Sequence, residues 1–262
     1  MKTLCKRLIV TALIIPLFAC TDRPMILLQE AENAWYKNEY REAIRLFLQV
    51  VERYPKSPQA ETALLRTGET YMLNLTNTDK AIEYFTAVIS KFPEGEAARL
   101  AHENMGNIFE YTKKDYDKAV IQYQYLIDNG KAEDADKYQF AIARCYYQKG
   151  DYQQAILEYE MFQNVFPKSE LVPESKYQIG NCFFVMNDCA NAVVHYRKTL
   201  EDFPNMASRY DIMLSIGVCL EGKEDYGQAL HLYRQILDKY PNTSLIERKI
   251  DSVLARMREK NR

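Results

Sequence analysis

Apolar positions recur at helical spacing inside a longer period. Ala43-Ile44, Ala81-Ile82, Ala119-Val120, Ala155-Ile156, Ala192-Val193 and Ala229-Leu230 follow one another at intervals of 38, 38, 36, 37 and 37 residues. One helical turn past each alanine stands an aromatic: Phe47, Phe85, Tyr123, Tyr159, Tyr196 and Tyr233. Twelve residues past the alanine comes Pro55, Pro93, Pro167, Pro204 or Pro241, and the third unit alone lacks it. Proline cannot continue a helix, so each unit predicts a second helix that opens near the alanine and stops before the proline. Upstream, Ala31, Gly68, Gly106, Ala143, Gly180 and Gly217 mark a first helix with a small residue where its partner packs close. Asn38-Glu39-Tyr40, Lys114-Asp115-Tyr116, Gly150-Asp151-Tyr152 and Glu224-Asp225-Tyr226 read as tight turns followed by an aromatic wedge. Units two and three carry one extra residue at this turn.

This pattern resembles the tetratricopeptide repeat, most completely in the fourth unit through Ala143, Tyr146, Gly150-Asp151-Tyr152, Ala155, Tyr159 and Pro167. The expected fold is all-α. It is a right-handed solenoid of about six hairpins over residues 25–243, closed by a capping helix over 244–262. In that helix Ile246, Ile250, Val253 and Met257 share a face, and Arg248, Lys249, Arg256, Arg258, Lys260 and Arg262 fill the others. A basic helix for a membrane surface or a partner is the alternative reading.

The resemblance implies that first helices line a concave binding surface. Positions three before, one after and four after the small residue then give the groove. They assign Leu28, Trp35, Leu65 and Met72 to the first two units and Glu103 and Glu110 to the third. The fourth and fifth supply Phe140, Arg144, Tyr147, Tyr177, Asn181 and Phe184. Two apolar stretches around an acidic break suit a peptide with apolar anchors. Packing between neighbouring hairpins would account for the same aromatics. Repeat proteins that hold chaperone tails use a basic, asparagine-rich clamp. Only Asn181 matches it, and Phe140 and Tyr177 stand where its lysines would, so that partner is not expected.

Composition supports a packed helical chain: 20 Tyr and 11 Phe against only nine Gly and nine Pro in 262 residues. The formal charge of -2, with acids and bases interspersed, gives no basic field for nucleic acid. The N-terminus breaks the pattern. Lys2, Lys6 and Arg7 precede an uncharged run from Leu8 to Ala19, which fits a signal peptide over residues 1–19. At roughly 18 Å of helical rise, that run is too short for a permanent span. Leu17-Phe18-Ala19-Cys20 resembles a bacterial lipobox in which Cys20 becomes the lipidated first residue, Phe18 departing from the usual small residue. Residues 20–24 would tether the mature chain to the membrane. Cleavage would carry the formal charge from -2 to -5 by removing Lys2, Lys6 and Arg7.

Cys145, Cys182 and Cys219 occupy equivalent positions two residues after the small residue in successive units, and Cys189 replaces the turn aromatic. Equivalent positions of stacked repeats lie about 10 Å apart, beyond the roughly 7 Å reach of a disulfide, which predicts small buried thiols. Cysteine-histidine spacing for a metal is absent. His102, His195 and His231 sit at ordinary helix positions, and no phosphate loop, HExxH or GxSxG occurs. No enzyme and no cofactor is expected.

A lipobox followed by repeats ending in Arg53-Tyr54-Pro55-Lys56-Ser57 and Lys239-Tyr240-Pro241-Asn242-Thr243 resembles two envelope families. They are the BamD type of outer-membrane assembly lipoprotein and the repeat domain of the YbgF type. The resemblance implies a lipid-anchored scaffold at the bacterial outer membrane, facing the periplasm. Its partners would be a β-barrel assembly component or client. A pilotin-like lipoprotein escorting a secretin is the nearest alternative. Binding of peptidoglycan or polysaccharide by the aromatic wall is one of another class.

Overall fold

The computed structural model describes residues 23–129 and 132–260; the signal segment and Cys20 lie outside them. The described residues are helical throughout, without a strand. They fall into two compact units, divided between Ala101 and His102.

In the first unit α1 (Arg23–Tyr36) pairs with α2 (Tyr40–Arg53) and α3 (Pro58–Leu73) with α4 (Thr78–Lys91), and α5 (Glu96–Asn107) begins. Arg23 and Pro24, expected at the end of the tether, already belong to α1. The second unit takes in the end of α5, which runs into a π-helical turn (Ile108–Lys113) and then α6 (Tyr116–Asn129). The hairpins α7 (Ala135–Lys149) with α8 (Tyr152–Val165), α9 (Val172–Val185) with α10 (Cys189–Asp202), and α11 (Arg209–Gly222) with α12 (Tyr226–Ile236) follow, and α13 (Thr243–Lys260) packs on α12.

The six repeat alanines are all fully buried, and the six aromatics a turn later are at most 2% exposed. Each ring lies on the partner helix where the small residue leaves room. A Cβ built on Gly106 would stand 2.6 Å from the Tyr123 ring, and one on Gly68 2.7 Å from Phe85. Ala31 and Ala143 hold the equivalent place in their own hairpins, fully buried, so one methyl can be fitted by a small ring displacement. A branched side chain cannot. Gly106→Val is expected to destabilise by about 1–3 kcal/mol, and Gly106→Ala by clearly less, in urea unfolding followed by circular dichroism.

Every hairpin turn carries one residue in the left-handed region: Asn38, Thr76, Lys114, Gly150, Asn187 and Glu224. The residue after it caps the second helix in five hairpins, as where Asp151 accepts the Gln154 N–H at 3.2 Å and Asp188 the Asn191 N–H at 3.1 Å. The extra residue of units two and three widens this return. Elsewhere the cap residue's N–H reaches back five residues, as from Asp151 to Tyr146, whereas Asn77 reaches Tyr71 and Asp115 reaches Phe109. In unit three the surplus is taken up as the π turn, a device that re-aims the side chains on it.

Candidate functional site

The groove residues expected from sequence divide into three groups. Leu65 and Phe140 are each only 7% exposed. Phe140 packs edge-on against Tyr159 and Phe162 at 5.4 and 5.7 Å. Both are core, correcting their assignment to the groove. The position three before the small residue points between helices here, not outward.

Glu110 is the second correction. It sits on the π turn, 3% exposed, and it is not part of an acidic surface. Arg144 of α7 grips it with two hydrogen bonds, Nε to Oε1 at 2.5 Å and a terminal nitrogen to Oε2 at 3.0 Å. The Tyr123 hydroxyl donates to the same carboxylate at 2.7 Å and to Asn107 at 3.1 Å. Burial first, then the adjacent carboxylate, raises the Tyr123 phenol far above its ordinary value. Burial works against the Arg144 charge, but Glu110 more than offsets it. The arrangement recurs at Glu221, four residues after Gly217 as Glu110 is after Gly106. It accepts the Tyr233 hydroxyl at 3.0 Å and the Lys249 ammonium of α13 at 3.1 Å, with Arg256 at 3.7 Å. Basic residues of the terminal helix are thus partly engaged with the last hairpin, since Lys260 also meets Glu224 at 2.7 Å. A tyrosine in place of phenylalanine on the second helix needs an acceptor, and a carboxylate one turn past the glycine supplies it. In the fifth hairpin Asn181 does so instead, accepting from Tyr196 at 2.6 Å.

The third group remains at the surface. In the second unit these are Arg144, Tyr147, Tyr177, Asn181 and Phe184, all half-buried, with Glu103 likewise partly exposed. Arg144 lies over the Tyr111 ring at 5.4 Å, Tyr147 meets Tyr152 edge-on at 5.5 Å, and Tyr177 leans on Tyr196 at 6.0 Å. Burial raises the Tyr147 and Tyr177 phenols, which stay neutral donors at physiological pH. Tyr111, 60% exposed on the π turn, joins this surface without having been expected; the surplus residue of unit three was its one signal. In the first unit Leu28, Trp35 and Met72 are half-buried, and Arg66 covers Trp35 at 4.7 Å.

The cysteines supply the third correction. Cys189 and Cys219 form a disulfide, their Cα atoms 5.2 Å apart. Cys145, Cys182 and Cys219 are indeed equivalent positions, and none of them bridges to another. The bond joins non-equivalent positions, the first residue of α10 and the last turn of α11, in adjacent hairpins. Cys145 and Cys182 are buried free thiols, each pushed up to about 12 by burial and so unreactive. Among the described residues no cluster has the makings of a metal site, and no helix is long and apolar enough to cross a membrane.

Residues 28–96 match one tetratricopeptide-repeat family and residues 138–169, 174–205 and 211–243 another. The chain is a tetratricopeptide-repeat protein. Several solved structures share its fold. PilW, a widely conserved type IV pilus biogenesis factor, is 16% identical at a TM-score of 0.54, covering 89% of this chain and 99% of its own. PilF of Pseudomonas aeruginosa is 14% identical at 0.51, covering 90% and 98%. YrrB, a repeat protein with an unusual peptide-binding site, is 15% identical at 0.54, covering 77% and 96%. The curated proteins contain no match to the sequence. Identities this low establish the shared tetratricopeptide fold alone.

Proposed function

We propose that this tetratricopeptide chain is a protein-binding scaffold of the bacterial envelope, held by a lipid on Cys20 at the outer membrane and facing the periplasm. The observation that carries the binding role is the half-buried surface of Tyr147, Tyr177, Asn181 and Phe184 on the first helices of the fourth and fifth hairpins. Rigid aromatic rings with hydroxyl and amide groups beside them are what protein interfaces use as anchors. The Cys189–Cys219 bond supports export, because disulfides persist in oxidising compartments. Two envelope roles fit. Assembly of outer-membrane β-barrels rests on the lipobox and the repeat endings. Assembly of a pilus or secretin is favoured by likeness to PilW and PilF over nearly their whole length.

A photo-crosslinking amino acid at Tyr147 or Phe184, in cells making the full chain, is expected to capture an envelope protein. Tyr147→Ala with Phe184→Ala should abolish co-purification of that protein while the chain remains folded by circular dichroism. Capture of a secretin or pilus component selects the second role and a barrel-assembly component the first. Recovery of neither, with retention of the chain on isolated cell wall, would overturn the protein-scaffold reading.

A further inference from the structure

The disulfide ties the start of α10 to α11. Between the rest of α10, α11 and the length of α12 lies a cleft of about 420 Å³. Its volume falls within the range of about 300–1,000 Å³ usual for ligand sites. The floor is apolar, made by Leu200, Met213, Ile216 and Leu232. The mouth is cationic, with Arg197 on α10 and Arg209 at the start of α11, and no carboxylate lines it.

Both guanidiniums are exposed, and both hydrogen-bond only to neutral groups. Arg197 donates to Gln228 Oε1 at 3.2 Å, and Arg209 to the Pro204 carbonyl at 3.1 Å. The nearby Asp225 is already committed, accepting the Gln228 backbone N–H at 3.2 Å and its amide at 2.6 Å. Arg45, Arg66, Arg99, Arg144 and Arg256, by contrast, meet carboxylates.

The wall at α12 is built to leave space. Gly227 is the second residue of that helix, where the other five hairpins place Arg41, Asp79, Asp117, Gln153 and Ala190. Glycine is a poorer helix former than alanine. Unlike Gly106 or Gly217, no neighbouring ring requires it, since a Cβ on Gly227 would meet nothing closer than Asp225 Oδ1 at 4.0 Å. What the missing side chain provides is the opening itself.

We infer that this cleft is a second docking site, distinct from the surface of Tyr147 and Phe184, and that it takes an acidic, apolar segment of a protein partner. Its apolar side chains enter between Leu200, Met213, Ile216 and Leu232, and its carboxylates meet Arg197 and Arg209 at the mouth. The inference rests on the scaffold reading only in that the ligand is a polypeptide.

The test is fluorescence anisotropy on the full chain with a labelled peptide carrying two leucines, a phenylalanine and two glutamates. A matched peptide has glutamines for the glutamates. The glutamate peptide is expected to bind, and the glutamine peptide about tenfold more weakly; Arg197→Gln with Arg209→Gln should erase that difference. Gly227→Leu should abolish binding while the chain still unfolds cooperatively, because Gly227 lines the cleft and its Cβ position is open. Tyr147→Ala with Phe184→Ala should leave peptide affinity unaltered. Absence of binding, equal affinity for the two peptides, or binding that survives Gly227→Leu would overturn the cleft. Loss only in the Tyr147 and Phe184 variant would also overturn it, placing the peptide on the other surface with the scaffold reading intact.

Discussion

Arg144→Ala is expected to lower the unfolding free energy by about 2–4 kcal/mol in urea denaturation at pH 7.5. The cost comes from what is left behind. Glu110 has 2% of its side chain exposed and would keep only tyrosine hydroxyls, Tyr123 and Tyr111, as donors and no opposite charge, too little for a buried carboxylate. The lower part of the usual range for breaking buried pairs applies, because one-third of the Arg144 side chain already reaches water. Glu110→Leu should cost less. It strands a guanidinium that can solvate itself, and Tyr123 retains Asn107 as acceptor. Combining Arg144→Met with Glu110→Leu is expected to recover most of the loss, since an apolar pair of similar volume carries no desolvation penalty.

This cluster also shows where sequence was informative and where it was not. The alanine and aromatic of each unit report a single local requirement, close approach of two helices, and all twelve residues are buried as expected. The glycines opposite the rings obey the same requirement. Groove positions follow from register on one helix, but exposure depends on what the next helix brings. At the position four after the small residue, Trp35, Met72, Tyr147 and Phe184 remain partly exposed, whereas Glu110 is covered by Arg144, and Glu221 at the same register by α13. Nothing local to Glu110 distinguishes it except the tyrosine that needs its oxygen. Likewise the surplus residue of unit three is visible in the spacing, but its absorption as a π turn that presents Tyr111 depends on backbone geometry. The disulfide was obscured by the repeat itself. Comparing equivalent positions directs attention to pairs a whole repeat apart, while the bonded pair joins a helix start to the middle of the next hairpin.

Breaking that disulfide is the other change with a large expected effect. Cys189→Ser, or reduction, should destabilise the second unit by about 3–4 kcal/mol, the loop-closure entropy for a 30-residue separation. Cys219 is fully buried beside the Gly217–Tyr233 contact, so the serine variant should be made at Cys189, which is partly exposed and tolerates a hydroxyl. Differential scanning calorimetry with and without dithiothreitol should show a fall in the transition of the unaltered chain and none for Cys189→Ser. If reduction leaves both transitions in place, the bond contributes nothing to stability. The remaining thiols sharpen the result. Cys145 and Cys182, pushed up to about 12, hold almost no thiolate at neutral pH, so they will not attack the bond or exchange with it in the folded state. Chain retained in a reducing cytosol should accordingly match the reduced sample. Chain exported to an oxidising periplasm should carry the bond.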